Sequence, residues 1–167
     1  MADPDTLSKL AEASVLEGVA MLRVEGLEAI AAVRARCRTP IIGLIKARYE
    51  GSEVQITPSG REVEALIAAG CEIIAMDATA RPRPGEPLPE LIKLIHRSGR
   101  LAMADCDTRE TVERALSSGA DIVGSTLSGY TPQSRAAPAP DLELVRWACA
   151  KPGVFVLGEG RYEEPWH

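Results

Sequence analysis

Short apolar runs alternate with amphipathic stretches along the chain, and this alternation is the feature that most restricts its fold. The runs are almost continuously apolar, as strands are when a parallel sheet is buried on both faces. Six of them are readable: Val19–Leu22, Ile41–Ile45, Ile73–Met76, Leu101–Ala104, Ile122–Gly124 and Val154–Leu157. Because no hairpin signal joins neighbouring runs, the pattern predicts parallel strands linked by right-handed crossovers.

The stretches next to these runs have the pattern of amphipathic helices. The predicted helices are Thr6–Leu16, Leu27–Arg36, Glu62–Ala69, Pro89–Arg97, Arg109–Ser118 and Leu142–Ala150. Several are followed by a glycine, the residue that most readily adopts the left-handed conformation of a helix C-terminus. At the fifth helix, Asp107 and Glu110 have the spacing of a capping pair.

Strand–helix alternation fits two architectures, a (β/α) barrel and a doubly wound sheet. The doubly wound sheet usually carries G-x-G-x-x-G after its first strand, and this motif is absent. The apolar residues are mainly Ala, Val, Ile and Leu, which suits helices packed on a buried parallel sheet. We therefore expect a single α/β domain over residues 1–167, an incomplete TIM (β/α) barrel with about six of eight strands.

Composition narrows the possible partners and the cellular compartment. The net charge of −5 provides no basic face for nucleic acid. Four cysteines stand singly and only two histidines are present, so we expect no metal site and small buried thiols in a reducing compartment. The N-terminus is acidic, unlike a signal peptide, and no apolar run is long enough for a membrane span. These features predict a cytoplasmic protein without membrane or nucleic-acid partners.

A polar residue follows each apolar run. In chain order these are Arg23, Lys46, Asp77, Asp105, the pair Ser125 and Thr126, and Glu159. Any one of them is explained by the end of a strand. The carboxyl ends of the strands of a parallel barrel lie on one face, where barrel enzymes place their active sites. The series therefore predicts a small-molecule site on that face.

Three loops beyond these strand ends carry polar or charged groups. The hydroxyl-rich segment Ser128–Pro132 is either an ordinary turn or a contact for a sugar or phosphate. Gly158–Arg161 holds a carboxylate between two glycines, either as a flexible turn or where backbone approaches a ligand. Ala78–Pro84 carries two arginines and is either a solvated loop or an anion clamp.

Several of these motifs occur together in the order typical of one enzyme family. They are Pro40–Lys46, Ile56–Pro58, Ala75–Thr79 with Arg81, Arg83 and Pro84, Leu101–Asp105, Ser125–Pro132 and Glu159–Tyr162. With these motifs the chain resembles the N-acetylmannosamine-6-phosphate 2-epimerases. The resemblance extends along nearly the whole chain and implies a TIM barrel.

The resemblance also implies a reaction, an isomerisation in amino-sugar (sialic acid) catabolism that needs no cofactor. It interconverts N-acetylmannosamine 6-phosphate and N-acetylglucosamine 6-phosphate by deprotonation and reprotonation at C2. Lys46 would be the base at C2 and Glu159 the second catalytic group, while Asp105 would bind substrate and hold Lys46 in place. The implied substrate contacts are Arg23, Ser128, Tyr130 and Arg161. Buried or cation-flanked lysines are the ones that serve as bases.

The resemblance implies a barrel with eight strands, of which six are readable here. The family's pattern has a strand before the first helix and another after the strand that precedes Glu159. Barrels commonly bind phosphate beside their last two strands, so much of that region is outside the readable pattern. Unpaired edges on the first and last strands favour self-association, and we expect a homo-oligomer.

Two alternatives remain open from the sequence. One keeps the barrel and makes Lys46 a Schiff-base nucleophile, as in aldolases. The other is an incomplete, catalytically inactive barrel that acts as a binding or assembly module, or a fragment of a full enzyme. Ligand binding and C2 proton exchange separate these alternatives from an epimerase.

Overall fold

The strands form one parallel sheet in a computed structural model that describes residues 3–134 and 138–163. The strand order follows the chain from β1 to β6, and every neighbouring pair is parallel. The strands are β1 (Leu22–Glu25), β2 (Ile41–Leu44), β3 (Ile73–Asp77), β4 (Leu101–Asp105), β5 (Ile122–Gly124) and β6 (Phe155–Leu157). Within the described ranges, β1 and β6 are therefore the edges of the sheet.

A helix precedes each strand, as the alternation predicts. The helices are α1 (Pro4–Leu16), α2 (Leu27–Arg36), α3 (Gly60–Ala68), α4 (Leu88–Arg97), α5 (Arg109–Ser117) and α6 (Leu142–Cys149). All six predicted helices are confirmed, with boundaries shifted by up to two residues. None of the helices in these ranges combines the length and apolar character needed to cross a membrane.

Two apolar layers cover the two faces of the sheet. The outer layer joins strand residues such as Ile41, Ile74 and Ala104 to the helices. The inner layer is smaller and contains Ile42 and Met103 with apolar residues of neighbouring strands and loops, but no residue of a helix. Helices therefore pack on one face only, which is the arrangement of a (β/α) barrel and not of a doubly wound sheet.

The prediction for the first strand is wrong in its boundaries. The strand is Leu22–Glu25, whereas Val19–Leu22 was expected, and Val19 is exposed. Leu22 and Val24 are buried on the helix side, while the residues between and after them are only partly buried. In an edge strand with one more solvent-exposed face, apolar and polar residues alternate, so the apolar run is short. Arg23 is thus inside the strand instead of after it.

Two smaller expectations also fail. Thr108, not Asp107, caps α5: its Oγ1 accepts from the Thr111 amide at 3.3 Å, and the Thr111 Oγ1 accepts from the Thr108 amide at 3.0 Å. Asp107 is buried and accepts a hydrogen bond from the Thr111 hydroxyl instead. Cys149 is exposed, although the other three thiols are buried as expected.

Close packing at Gly43 in β2 leads to a stability prediction. A Cβ at this position would lie 2.4 Å from Cys71 Sγ and 3.0 Å from Leu66 Cδ2. We expect Gly43→Ala to lower the free energy of unfolding by about 1–3 kcal/mol, the usual cost of overpacking. Urea denaturation measures it. Adding Cys71→Ala should restore part of the loss; equal stability of Gly43→Ala and wild type would contradict the packing.

Candidate active site

A cavity of about 570 Å³ lies where the inner face of the sheet meets the carboxyl ends of its strands. Its lining is mostly polar and charged, with apolar residues from β2 and the neighbouring loops. The lining residues are Arg23, Glu25, Leu44, Lys46, Glu53, Gln55, Ile56, Asp77, Arg81, Thr126, Leu127 and Tyr130. Residues at or near the carboxyl ends of β1, β2, β3 and β5 thus meet at one site, while Asp105 of β4 and Glu159 after β6 are not part of its lining.

Arg23 and Asp105 form the central ion pair of this site. The Arg23 guanidinium donates from Nη1 to Asp105 Oδ1 at 3.1 Å and from Nη2 to Oδ2 at 2.7 Å. Asp105 is fully buried, so its charge depends on this two-point contact. Burial acts to lower the pKa of Arg23, but the charge and hydrogen bonds of Asp105 outweigh it and raise that pKa.

Glu159 joins the same network from the loop after β6. Its Oε2 lies 3.4 Å from Arg23 Nη1 and 2.7 Å from the Thr126 hydroxyl. Its backbone is held as well, because Ser125 Oγ donates to the Glu159 carbonyl and accepts from the Glu159 amide, each at 2.9 Å. Two residues at the end of β5 therefore fix both the backbone and the side chain of Glu159.

Burial raises the pKa of Glu159. The Arg23 charge and the Thr126 hydrogen bond act against this shift, and the Asp105 charge adds to it. A carboxyl whose pKa is raised holds its proton closer to neutral pH, which suits a group that donates a proton in a reaction.

Lys46 occupies another side of the cavity, just beyond β2. Its Nζ lies 3.0 Å from Glu25 Oε2, and 52% of its side chain is exposed. Two expectations are corrected here: Lys46 is not buried, and Asp105 does not hold it, because Asp105 pairs with Arg23. Lys46 also forms an isolated antiparallel bridge with Ile56, which fixes its backbone at the cavity wall.

The arginines of Ala78–Pro84 bond to protein groups, although Ala80, Pro82 and Pro84 of this segment are exposed. Arg81 Nη2 donates to Asp77 Oδ2 at 2.6 Å, and only 12% of its side chain is exposed. Arg83 donates to the carbonyl oxygens of Asp77 and Pro58. Arg81 therefore brings a cation to the cavity wall, while Arg83 fastens the loop beneath it.

Of the remaining predicted substrate contacts, only Tyr130 lines the cavity. Its side chain is largely exposed, and the Arg161 guanidinium stands over its ring at 5.3 Å from the centroid. Arg161 donates to the carbonyls of Ala139 and Ser128. Ser128 is buried and donates to Asp141 Oδ2 at 2.6 Å, outside the cavity lining. The structure thus places Ser128 and Arg161 behind Tyr130.

Sequence reasoning missed Glu25, Glu53 and Gln55 as parts of the site. Glu25 follows Arg23 by two residues, so the alternation of an edge strand could have found it. Glu53 and Gln55 reach the cavity through the segment whose Ile56 bridges back to Lys46, a local feature without a strand-like pattern. Among the described residues, no group of three or more His, Cys, Asp or Glu side chains is arranged to hold a metal.

Residues 7–167 match the model of a family described as putative N-acetylmannosamine-6-phosphate epimerase. The chain belongs to this epimerase family. A solved structure, the N-acetylmannosamine-6-phosphate 2-epimerase from Clostridium perfringens, superposes with a TM-score of 0.95 at 39% identity. That match covers 98% of this chain and 72% of the other, and it confirms the incomplete barrel with its parallel strands in order.

Two sequence relatives are longer than this chain. A putative N-acetylmannosamine-6-phosphate 2-epimerase of Haemophilus influenzae is 44% identical, over 99% of this chain and 71% of the relative. The bifunctional enzyme NanE/NanK of Brucella melitensis is 46% identical over 93% of this chain, and this chain spans only 30% of its length. The epimerase family is therefore shared with proteins of quite different length.

Proposed function

We propose that this chain carries the site of an N-acylglucosamine-6-phosphate 2-epimerase, which interconverts N-acetylmannosamine 6-phosphate and N-acetylglucosamine 6-phosphate. The observation that carries the proposal is a cavity lined by both Lys46 and Arg23, whose guanidinium pairs with Asp105 and lies 3.4 Å from Glu159. Membership of the epimerase family supports the substrate class, a sugar phosphate. No cofactor is required by this chemistry.

The reaction is a proton transfer at carbon. In the open-chain sugar, C2 is adjacent to the C1 aldehyde, so loss of its proton gives an enolate. Reprotonation on the opposite face inverts C2. Such a reaction needs one group that removes a proton, another that returns one, and a cation near the developing negative charge.

Residues of the cavity, together with Glu159 that contacts Arg23 and Thr126 of its lining, meet these three requirements. Lys46 is accessible from the cavity and takes the C2 proton in our proposal, and Glu159 delivers a proton to the other face. Arg23 would stabilise the enolate oxygen, since its guanidinium is fixed by Asp105 and 21% of its side chain remains exposed. Tyr130 and Arg81 supply further contacts at the cavity wall.

The direct test is proton exchange at C2. We expect this chain, incubated with N-acetylmannosamine 6-phosphate in deuterium oxide, to yield N-acetylglucosamine 6-phosphate with the C2 proton signal lost from its NMR spectrum. Borohydride added during the reaction should trap no covalent adduct, because the proposed chemistry has no Schiff base. An adduct at Lys46 would support the aldolase alternative, and an absence of both exchange and product would overturn the proposal for this chain.

A further inference from the structure

The Thr126 hydroxyl makes two short contacts that cannot both be donated by it. Its Oγ1 lies 2.7 Å from Asp105 Oδ1 and 2.7 Å from Glu159 Oε2. A threonine hydroxyl has one hydrogen to donate, and an ionised carboxylate can only accept. With both carboxylates ionised, one of these contacts would place two oxygens at hydrogen-bond distance with no hydrogen between them. A second hydrogen must therefore lie on one of the carboxyl groups.

The surroundings decide which carboxyl group carries it. Both oxygens of Asp105 accept from Arg23, so the ionised form of Asp105 is the one that this arginine stabilises. Glu159 forms only a longer ion pair with the same guanidinium, at 3.4 Å, and its short side-chain contact is with Thr126. The charges that act on Glu159 are those of Arg23 on β1 and Asp105 on β4. The partly buried Arg23 thus bonds both oxygens of Asp105 and reaches Glu159 only at the longer distance.

We propose that Thr126 is a positioning residue whose hydroxyl keeps a proton on Glu159 in the resting site. The hydroxyl accepts a hydrogen bond from the carboxylic acid of Glu159 and donates its own hydrogen to the Asp105 carboxylate. This proposal rests on the epimerase site proposed above, and it assigns Glu159 as the proton donor at the start of the reaction.

The Thr126 hydroxyl forms a bridge between Glu159 and Asp105, and this bridge also accommodates the state after proton transfer. When the Glu159 O–H bond breaks and the C2–H bond forms, Glu159 becomes a carboxylate. Rotation about the Cβ–Oγ1 bond of Thr126 then turns its hydrogen from Asp105 to Glu159, while Asp105 keeps both contacts with Arg23. No covalent bond of Thr126 changes. The hydroxyl can therefore pair with Glu159 in either protonation state.

The test compares Thr126→Val with Thr126→Ser. Valine removes two hydrogen bonds when Glu159 is protonated but only one when Glu159 is ionised. The protonated form is destabilised more, so the pKa of Glu159 should fall by roughly one pH unit. Thr126→Ser retains the hydroxyl and should titrate like wild type. A threonine that merely donated to an ionised Glu159 would give the opposite sign, because its removal would raise the pKa.

The readout is the carboxyl signal in the ¹³C NMR spectrum of the protein labelled at glutamate Cδ, with Glu159→Gln as the assignment reference. A rise or no change in Thr126→Val overturns the bridge. Should that variant not fold, the wild-type signal decides, because a bridged Glu159 keeps its proton to a higher pH than the exposed glutamates of the same protein. A Glu159 signal that titrates together with those of the exposed glutamates overturns the proposal.

These measurements need no substrate, so they are independent of turnover. A bridged Glu159 in a chain that shows no C2 exchange would overturn the proposed function and leave the bridge intact. Where exchange is present, Thr126→Val should lower kcat far more than KM changes. Thr126→Ser should keep kcat close to that of the wild type.

Discussion

Replacing Lys46 with methionine should lower kcat for C2 epimerisation by about 10²–10⁴-fold, the usual contribution of a positioned acid or base. Methionine retains the length and apolar stem of the side chain but cannot accept a proton. The fold should be unaffected, because the Lys46–Glu25 pair is half-exposed and such pairs contribute about 0–1 kcal/mol. The measurements are the C2 exchange rate by NMR and the urea unfolding midpoint.

Lys93→Met is the matched control for this prediction. Lys93 is also an exposed lysine paired with a glutamate, Glu90 at 2.8 Å, but it belongs to α4 and is not part of the cavity lining. It should change neither exchange nor stability. If Lys46→Met retains wild-type exchange, Lys46 is not the base and the assignment of roles in the cavity fails.

The order of elements could be predicted from the sequence because each strand of a buried parallel sheet is a short run of apolar residues. Strands such as β3 are apolar on both faces, so their ends are visible as the first charged residue. This pattern is absent at β1, where apolar residues alternate with Arg23 and Glu25 of the inner face. The cap of α5 fails for a different reason. Asp107 and Thr108 are both good capping residues, but the Asp107 carboxylate accepts from the hydroxyls of Thr111 and of the distant Thr131 instead.

Candidate positions for the site can be named from the sequence, but not the pairs that they form. Lys46, Asp105 and Glu159 are candidates because parallel topology brings the ends of strands to one face. Which cation meets which carboxylate depends on side-chain reach across neighbouring strands. Arg23 on β1 crosses the inner face to Asp105 on β4, and this leaves Glu25 to pair with Lys46. Sequence spacing contains no measure of that distance.

The ion pair between Arg23 and Asp105 should also be costly to break. Arg23→Met would leave the Asp105 carboxylate fully buried with the Thr126 hydroxyl as its remaining side-chain donor. We expect the free energy of unfolding to fall by about 3–5 kcal/mol, the range for a buried charge that loses its partner. Urea denaturation measures this loss, and epimerisation should be lost with it because the cation at the enolate is removed.

Two further variants separate charge burial from the loss of the arginine side chain itself. Arg23→Met with Asp105→Asn removes both charges and should recover much of the stability but not the activity. Arg34→Met breaks a pair of equal length, 2.7 Å to Glu72, that is more exposed, and it should cost about 1 kcal/mol. If Arg23→Met costs no more than Arg34→Met, Asp105 does not depend on Arg23 for its charge. The second hydrogen at Thr126 would then lie on Asp105, and Glu159 would begin the reaction as a carboxylate.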